Sequence, residues 1–168
     1  MSKVRSLVLS SLLIAIVYIA TYFRVPLAPD GGLVHLGSVA LFVISVVFGK
    51  RMGAVTGSVG MALFNLTTEW VVWAPYTFVI RFVMGYMIGT IAHLGGKNGE
   101  SMKLNILAVA AAGIWFIPAS YVAGALILSN WVIPVTHIPG NATQIVLMAV
   151  LGIPLAKLLN RHKRHLLQ

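Results

Sequence analysis

The sequence predicts an all-α integral membrane protein with six transmembrane helices and both termini on the cytoplasmic side. Three observations predict it. Of the 168 residues, 59% are hydrophobic and only 9% charged, and the mean hydropathy is +0.94. Fifteen charged side chains are too few to cover a water-facing surface of this size, so lipid has to be the outer solvent. The third observation is where the basic residues fall. Lys3 and Arg5, Lys50 and Arg51, Lys97 and Lys103, and Lys157, Arg161, Lys163 and Arg164 stand in short groups at the borders of apolar runs.

A helix crossing about 30 Å of hydrocarbon takes roughly 20 mostly apolar residues. Six stretches come near that length: about 6–23, 34–49, 52–68, 74–94, 104–128 and 138–159. The first follows Lys3 and Arg5 as a secretory signal would, but five more spans come after it and no small-residue cleavage site closes it, so it is read as a retained helix. The second and third are short, and Gly49-Lys50-Arg51 between them reads as a charged hairpin turn. With the N-terminus inside, all four basic groups become cytoplasmic, while Arg24, Asp30 and Glu69 fall in the outer loops and Arg81 a little way into the fourth helix. One transmembrane domain, residues 1–168, accounts for the chain.

A net charge of +9 would point to nucleic acid in a soluble protein. Here the clustering makes it a topology signal, and no nucleic-acid partner is expected. The chain has no cysteine, which excludes disulfides, thiolate metal sites and a cysteine nucleophile. It also lacks His-Glu-x-x-His, Gly-x-Ser-x-Gly, a phosphate loop and paired aspartates within a span. With three acidic residues in all, no catalytic residues, no metal and no cofactor on this chain are expected. It is not read as an enzyme, and any ATP-driven step has to come from another subunit.

Small residues recur four apart at Ser11 and Ala15, Gly53 and Gly57, Gly85 and Gly89, Ala119 and Ala123, and Gly152 and Ala156. In lipid such faces let helix backbones approach. The first helix is otherwise plainly aliphatic, so its Ser11 and Ala15 are the pair offered to a partner. The outer side collects Trp70, Trp73, Tyr76, Trp131 and His137, either as an interfacial aromatic belt or as the rim of a pocket.

Polar residues at membrane depth are few, and each is costly unless paired or functional. Glu69 and Arg81 fall at similar depth and read either as a structural ion pair or as charged hydrogen-bonding groups for a solute. Asn141 and Gln144, three apart, share a face of the sixth helix, and Trp115 and Tyr121 of the fifth reach the same outer half. Amides beside aromatic rings suit a flat polar heterocycle, though Asn141 and Gln144 read equally as interhelical hydrogen bonds. His35, after Gly31-Gly32, is either a ligand to a solute or a helix cap. The candidate binding set is His35, Glu69, Trp73, Tyr76, Arg81, Trp115, Tyr121, Asn141 and Gln144.

Val34-His35-Leu36-Gly37, Phe48 to Ala54, Asn65-Leu66, Ala74-Pro75-Tyr76-Thr77-Phe78-Val79-Ile80-Arg81 and Gly85-x-x-x-Gly89 together resemble the substrate-binding S components of energy-coupling factor (ECF) vitamin transporters. The resemblance covers roughly residues 5–160 and is closest to the hydroxymethylpyrimidine and pyridoxine branch, more loosely to riboflavin. It implies a multi-pass subunit of the cell membrane that captures a vitamin from outside. Its partners would be a transmembrane coupling (T) subunit, met through Ser11 and Ala15 where the family carries Ala-x-x-x-Ala, and two ATP-binding subunits. It also implies a lid from Arg24 to Val34 over a pocket formed with helices four to six. The best substrate is hydroxymethylpyrimidine, with pyridoxine, riboflavin and pantothenate as alternatives. A stand-alone secondary carrier, which would need coupling residues in its spans, and a structural membrane subunit are the rival readings.

Overall fold

The computed structural model describes residues 3–26 and 33–166. Its helices are α1 (Lys3–Tyr22), α2 (Gly37–Phe48), α3 (Lys50–Leu66), α4 (Ala74–Ala92), α5 (Met102–Leu128), α6 (Ile138–Leu147) and α7 (Ile153–Leu166). A π-helical turn, Met148–Gly152, joins the last two, so together they form the sixth of the expected segments. Pro154 explains the turn: it lacks the N–H that the Val150 carbonyl would accept, and the helix rearranges just ahead of it. Among the described residues, four segments are long and apolar enough to cross a membrane: Lys3–Tyr22, Val71–Ala92, Met102–Leu128 and Ile133–His162. Helices α2 and α3, of 12 and 17 residues, fall short by length, as the charged turn between them foreshadows. Gly49 makes that turn at φ +90°, a conformation that favours glycine.

Helix α2 is the centre of the bundle. Ten of its twelve residues are buried, and Leu41, Phe42, Val46 and Val47 have no exposed surface. It is apolar around its whole circumference because it meets protein on every side. Its neighbours reach it through small residues. A Cβ on Gly57 would lie 2.6 Å from Leu41, one on Gly53 would collide with Ser45, and one on Gly152 would lie 2.7 Å from Phe42. Helix α4 crosses α3 even more closely: Gly85 faces the backbone of Gly53 and Ala54, and Gly89 that of Lys50. Buried hydroxyls fold back onto their own helices, Ser45 onto the Leu41 carbonyl at 2.7 Å and Thr56 onto that of Met52 at 2.8 Å, which satisfies them where no water is available.

Two short strands add to the expected helices. β1 (Arg24–Pro26) pairs antiparallel with β2 (Leu33–His35), Arg24 opposite His35. This hairpin sits at one end of the bundle, the hairpin end; Lys50, Arg51, Lys97 and Lys103 mark the basic end. Gly37 lets the hairpin close on α1, since a Cβ there would meet the Thr21 hydroxyl and lie 2.9 Å from His35 Nδ1. Residues 27–32 of the expected lid, with Asp30, Gly31 and Gly32, lie outside the described residues. At the basic end the Gly99 carbonyl accepts hydrogen bonds from Asn105 at 2.9 Å and Asn160 at 3.0 Å, tying the loop after α4 to α5 and α7.

Helix α1 is the least embedded. Only Leu13, Val17 and Thr21 are buried, while Val4, Leu7, Val8, Leu12, Ile16 and Ile19 are all more than half exposed. Ser11 and Ala15 lie within this open stripe, both exposed, and the Ser11 hydroxyl is spent on the Leu7 carbonyl at 3.0 Å.

Candidate functional site

At the hairpin end, four polar side chains from four elements converge. Ser38 sits in the first turn of α2, and its hydroxyl oxygen accepts from Arg81 Nη1 of α4 at 3.0 Å and from Gln144 Nε2 of α6 at 2.8 Å. The same Gln144 nitrogen lies 2.9 Å from His35 Nε2 on β2. Ser38, Arg81 and Gln144 are buried to 0%, 5% and 1% exposure. The Arg81 guanidinium also lies over the Phe116 ring of α5, 4.0 Å from its centroid, and its Nη1 is 3.4 Å from the Met84 sulfur. A cation–π face and a hydroxyl partly replace its lost hydration, but no carboxylate contacts it among the described residues.

Gln144 donates to His35 Nε2, which places the ring proton of the neutral imidazole on Nδ1. Burial first, and the Arg81 charge second, push His35 down to about 3. A histidine whose folded value lies below its unfolded one leaves stability intact above about pH 6.5 and erodes it as the pH falls from there toward 3. The melting temperature is therefore expected to drop between pH 7 and pH 4, and His35→Gln to remove much of that drop. An equal slope in the variant would show that His35 is not the group responsible.

Three members of the cluster, His35, Arg81 and Gln144, belong to the set expected from sequence; Ser38 and Phe116 do not. The expected meeting of Glu69 with Arg81 does not form. Glu69 lies in the turn after α3, pairs with Arg24 at 3.0 Å with 62% of its side chain exposed, and accepts from the Trp70 indole at 2.9 Å. Its own backbone N–H and then Arg24 hold its carboxyl below the usual range. Arg24 pairs with it because the hairpin, absent from the sequence expectation, carries Arg24 back over α3, where it also sits 5.7 Å from the Phe64 ring.

The remaining candidates lie around the cluster without joining it. The Trp115 indole donates to the Ile80 carbonyl at 3.0 Å and the Tyr121 hydroxyl to the Trp131 carbonyl at 2.7 Å, so both polar tips are used within the fold. Tyr76 and Trp115 line an apolar groove of about 560 Å³ between α4 and α5. Trp73 packs near Gly124, its ring 6.2 Å from His137. Asn141 is half-buried, and its side chain makes no hydrogen bond among the described residues. No cluster of three metal-ligating side chains occurs among the described residues.

The helical bundle has counterparts among known proteins. A sequence model of the family described as "ECF-type riboflavin transporter, S component" matches residues 1–161. The chain belongs to this S-component family. It is accordingly a multi-pass membrane protein. The bundle superposes on a solved S component of a bacterial ECF transporter with a TM-score of 0.70, covering 99% of this chain and 100% of that one at 20% identity, a likeness of fold. An uncharacterized Pyrococcus woesei protein, described by its place in a "gap 3'region", is 24% identical over 99 residues, 59% of this S component and 66% of the relative.

Proposed function

We propose that this S component captures a small heterocyclic vitamin or vitamin precursor from outside the cell and releases it inward when a T subunit and two ATP-binding subunits drive it. The observation that carries the reading is the convergence of His35, Ser38, Arg81 and Gln144 at the hairpin end, 0–5% exposed for the three helix-borne residues. Buried polar groups in a membrane protein are expensive, and a buried charge with no ion-pair partner among the described residues supports a solute-binding reading over purely interhelical hydrogen bonding. By the positive-inside rule, the basic groups at the opposite end support a cytoplasmic position for that end and an outward one for the hairpin end. The open α1 stripe around Ser11 and Ala15 serves the T subunit.

Among solutes, the family's name favours riboflavin. Hydroxymethylpyrimidine and pyridoxine follow, because the carboxylate that an aminopyrimidine would use, Glu69, is engaged by Arg24 at the surface. Pantothenate belongs in the same panel. The chain itself performs no chemistry in this reading: it binds, and its partners hydrolyse ATP.

Uptake in cells lacking their own vitamin transporters tests the reading. Labelled vitamin is expected to accumulate only when this chain is expressed together with a T subunit and both ATPases, and ATPase-inactive variants should abolish it. Uptake by the chain alone, dependent on a proton gradient, would instead support a secondary carrier.

A further inference from the structure

Of the small residues spaced four apart, Ala119 and Ala123 on α5 are given no role by the fold or by the uptake reading. Gly53, Gly57, Gly85, Gly89 and Gly152 meet neighbouring helices, whereas Ala119 and Ala123 line the groove of about 560 Å³ between α4 and α5. Ile80 and Ala123 are buried in that groove, and Val79, Ile114 and Leu126 stand along it more than half exposed. Short side chains between tall exposed ones leave a furrow in the surface of two segments that are long and apolar enough to cross a membrane. Only two of the lining side chains carry a polar atom. The Trp115 indole is turned to the Ile80 carbonyl at 3.0 Å, and the Tyr76 hydroxyl has no hydrogen-bond partner among the described residues.

The furrow begins at the hairpin end, where Pro75 and Tyr76 open α4 and Leu126 lies in the last turn of α5, and it runs inward to Ile114. From Leu126 to Ile114 the helix rises about 18 Å, close to the roughly 15 Å that one leaflet contributes to the hydrocarbon core. Spread over that length, its volume gives a cross-section of about 30 Å², well under half of what a helix roughly 10–12 Å across fills. It admits one extended hydrocarbon chain and excludes a helix. We infer that this furrow holds one acyl chain of a phospholipid from the leaflet at the hairpin end, with the Tyr76 hydroxyl donating to an ester carbonyl of the glycerol at its mouth. A tyrosine suits that depth because its ring meets the chain while its polar tip reaches the interface. The inference rests on the membership of a membrane-protein family alone and is independent of which solute is captured. A chain seated there supplies the close packing between α4 and α5 that helix association in lipid depends on.

Quenching of Trp115 tests this. The full chain, stripped of lipid in detergent, is titrated with phosphatidylglycerol brominated at mid-chain, and the Trp115 signal is the difference between the parent and Trp115→Phe. Native mass spectrometry counts the retained lipid independently of that tryptophan. Quenching is expected to saturate at about one lipid per chain, with the melting temperature rising as the site fills. Ala119→Phe and Val122→Phe are expected to weaken this binding by about tenfold or more, since a ring then takes the place of the chain. Val122 is an exposed lining residue, so its variant carries the test should Ala119→Phe fail to fold. Tyr76→Phe should weaken binding by roughly two- to fivefold through the lost hydrogen bond. Ile106→Phe, on exposed surface of α5 outside the furrow, should bind lipid as the parent does. Quenching that rises without saturation, equally in the parent and in Val122→Phe, would mean ordinary surrounding lipid and overturn the inference. Failure of Val122→Phe to assemble with a T subunit while its lipid binding is unchanged would make the furrow a protein-docking surface. Displacement of the brominated lipid by a vitamin would make it part of the solute site. Either result would also overturn the inference.

Discussion

Gly89→Val is expected to lower the melting temperature by roughly 10 °C, and Gly85→Val by a similar amount, because overpacking a close helix contact costs up to about 3 kcal/mol and each kcal/mol is worth about 2–4 °C in a chain of this size. The reason is what the new side chains would meet. A Cβ on Gly85 would lie 2.8 Å from the Gly53 carbonyl group, and one on Gly89 would run into the backbone of Lys50 and sit 2.9 Å from the Gly49 carbonyl carbon. Those are backbone atoms, which cannot swing aside as a side chain can, so α4 would have to move off α3. In lipid that loss is not made up by hydrophobic burial elsewhere, since helix association there rests on close packing. Gly113→Ala is the control: its Cβ would meet only the Ile145 side chain, at 3.3 and 3.7 Å, and no backbone atom, and should change the melting temperature little. Tryptophan fluorescence on heating in detergent measures all three, and a Gly89→Val protein as stable as the parent would refute the α3–α4 contact.

The second large effect is expected on transport without an effect on binding. Ser11→Trp with Ala15→Trp should reduce coupled uptake by about tenfold or more, since a bulky ring on a face meant for close approach costs on the order of 1–3 kcal/mol per contact. Vitamin binding to the purified double variant should match the parent, because both positions are exposed on the surface of α1. The neighbouring Leu7, Leu12 and Ile16, at 69%, 58% and 54% exposure, keep that stripe apolar whether lipid or a partner covers it. Undiminished uptake with both tryptophans present would move the partner surface off α1.

Much of this architecture is legible in the sequence because it depends on residue type and spacing alone. The break between α2 and α3 follows from Gly49-Lys50-Arg51, and the close α3–α4 and α2–α3 contacts follow from glycines four apart. Arg81 and Gln144 stand out because a charge or an amide at membrane depth needs a reason. What eluded the sequence depends on tertiary neighbours. Ser38 reads as one hydroxyl in an apolar helix, yet its place in the first turn of α2 makes it the hub of the cluster. Strands of three residues carry no alternation to detect, so neither the hairpin nor the Arg24–Glu69 pair it creates could be foreseen. Trp115 and Tyr121 have the chemistry of ligand-binding residues, but backbone carbonyls of Ile80 and Trp131 take their donors first.

The most direct test of the site is a binding titration of the purified chain with riboflavin and the other vitamins of the panel, run in parallel on Gln144→Leu and Glu69→Gln. Gln144 bridges Ser38 and His35 inside the bundle, whereas Glu69 is an exposed partner of Arg24. The expected result is saturable binding of one vitamin by the parent, binding weakened by roughly 30-fold or more in Gln144→Leu as a buried hydrogen-bonding group is lost, and binding unchanged in Glu69→Gln. Loss of binding in Glu69→Gln with full affinity in Gln144→Leu would contradict it, and would put the solute at the surface turn after α3 instead of beneath the hairpin.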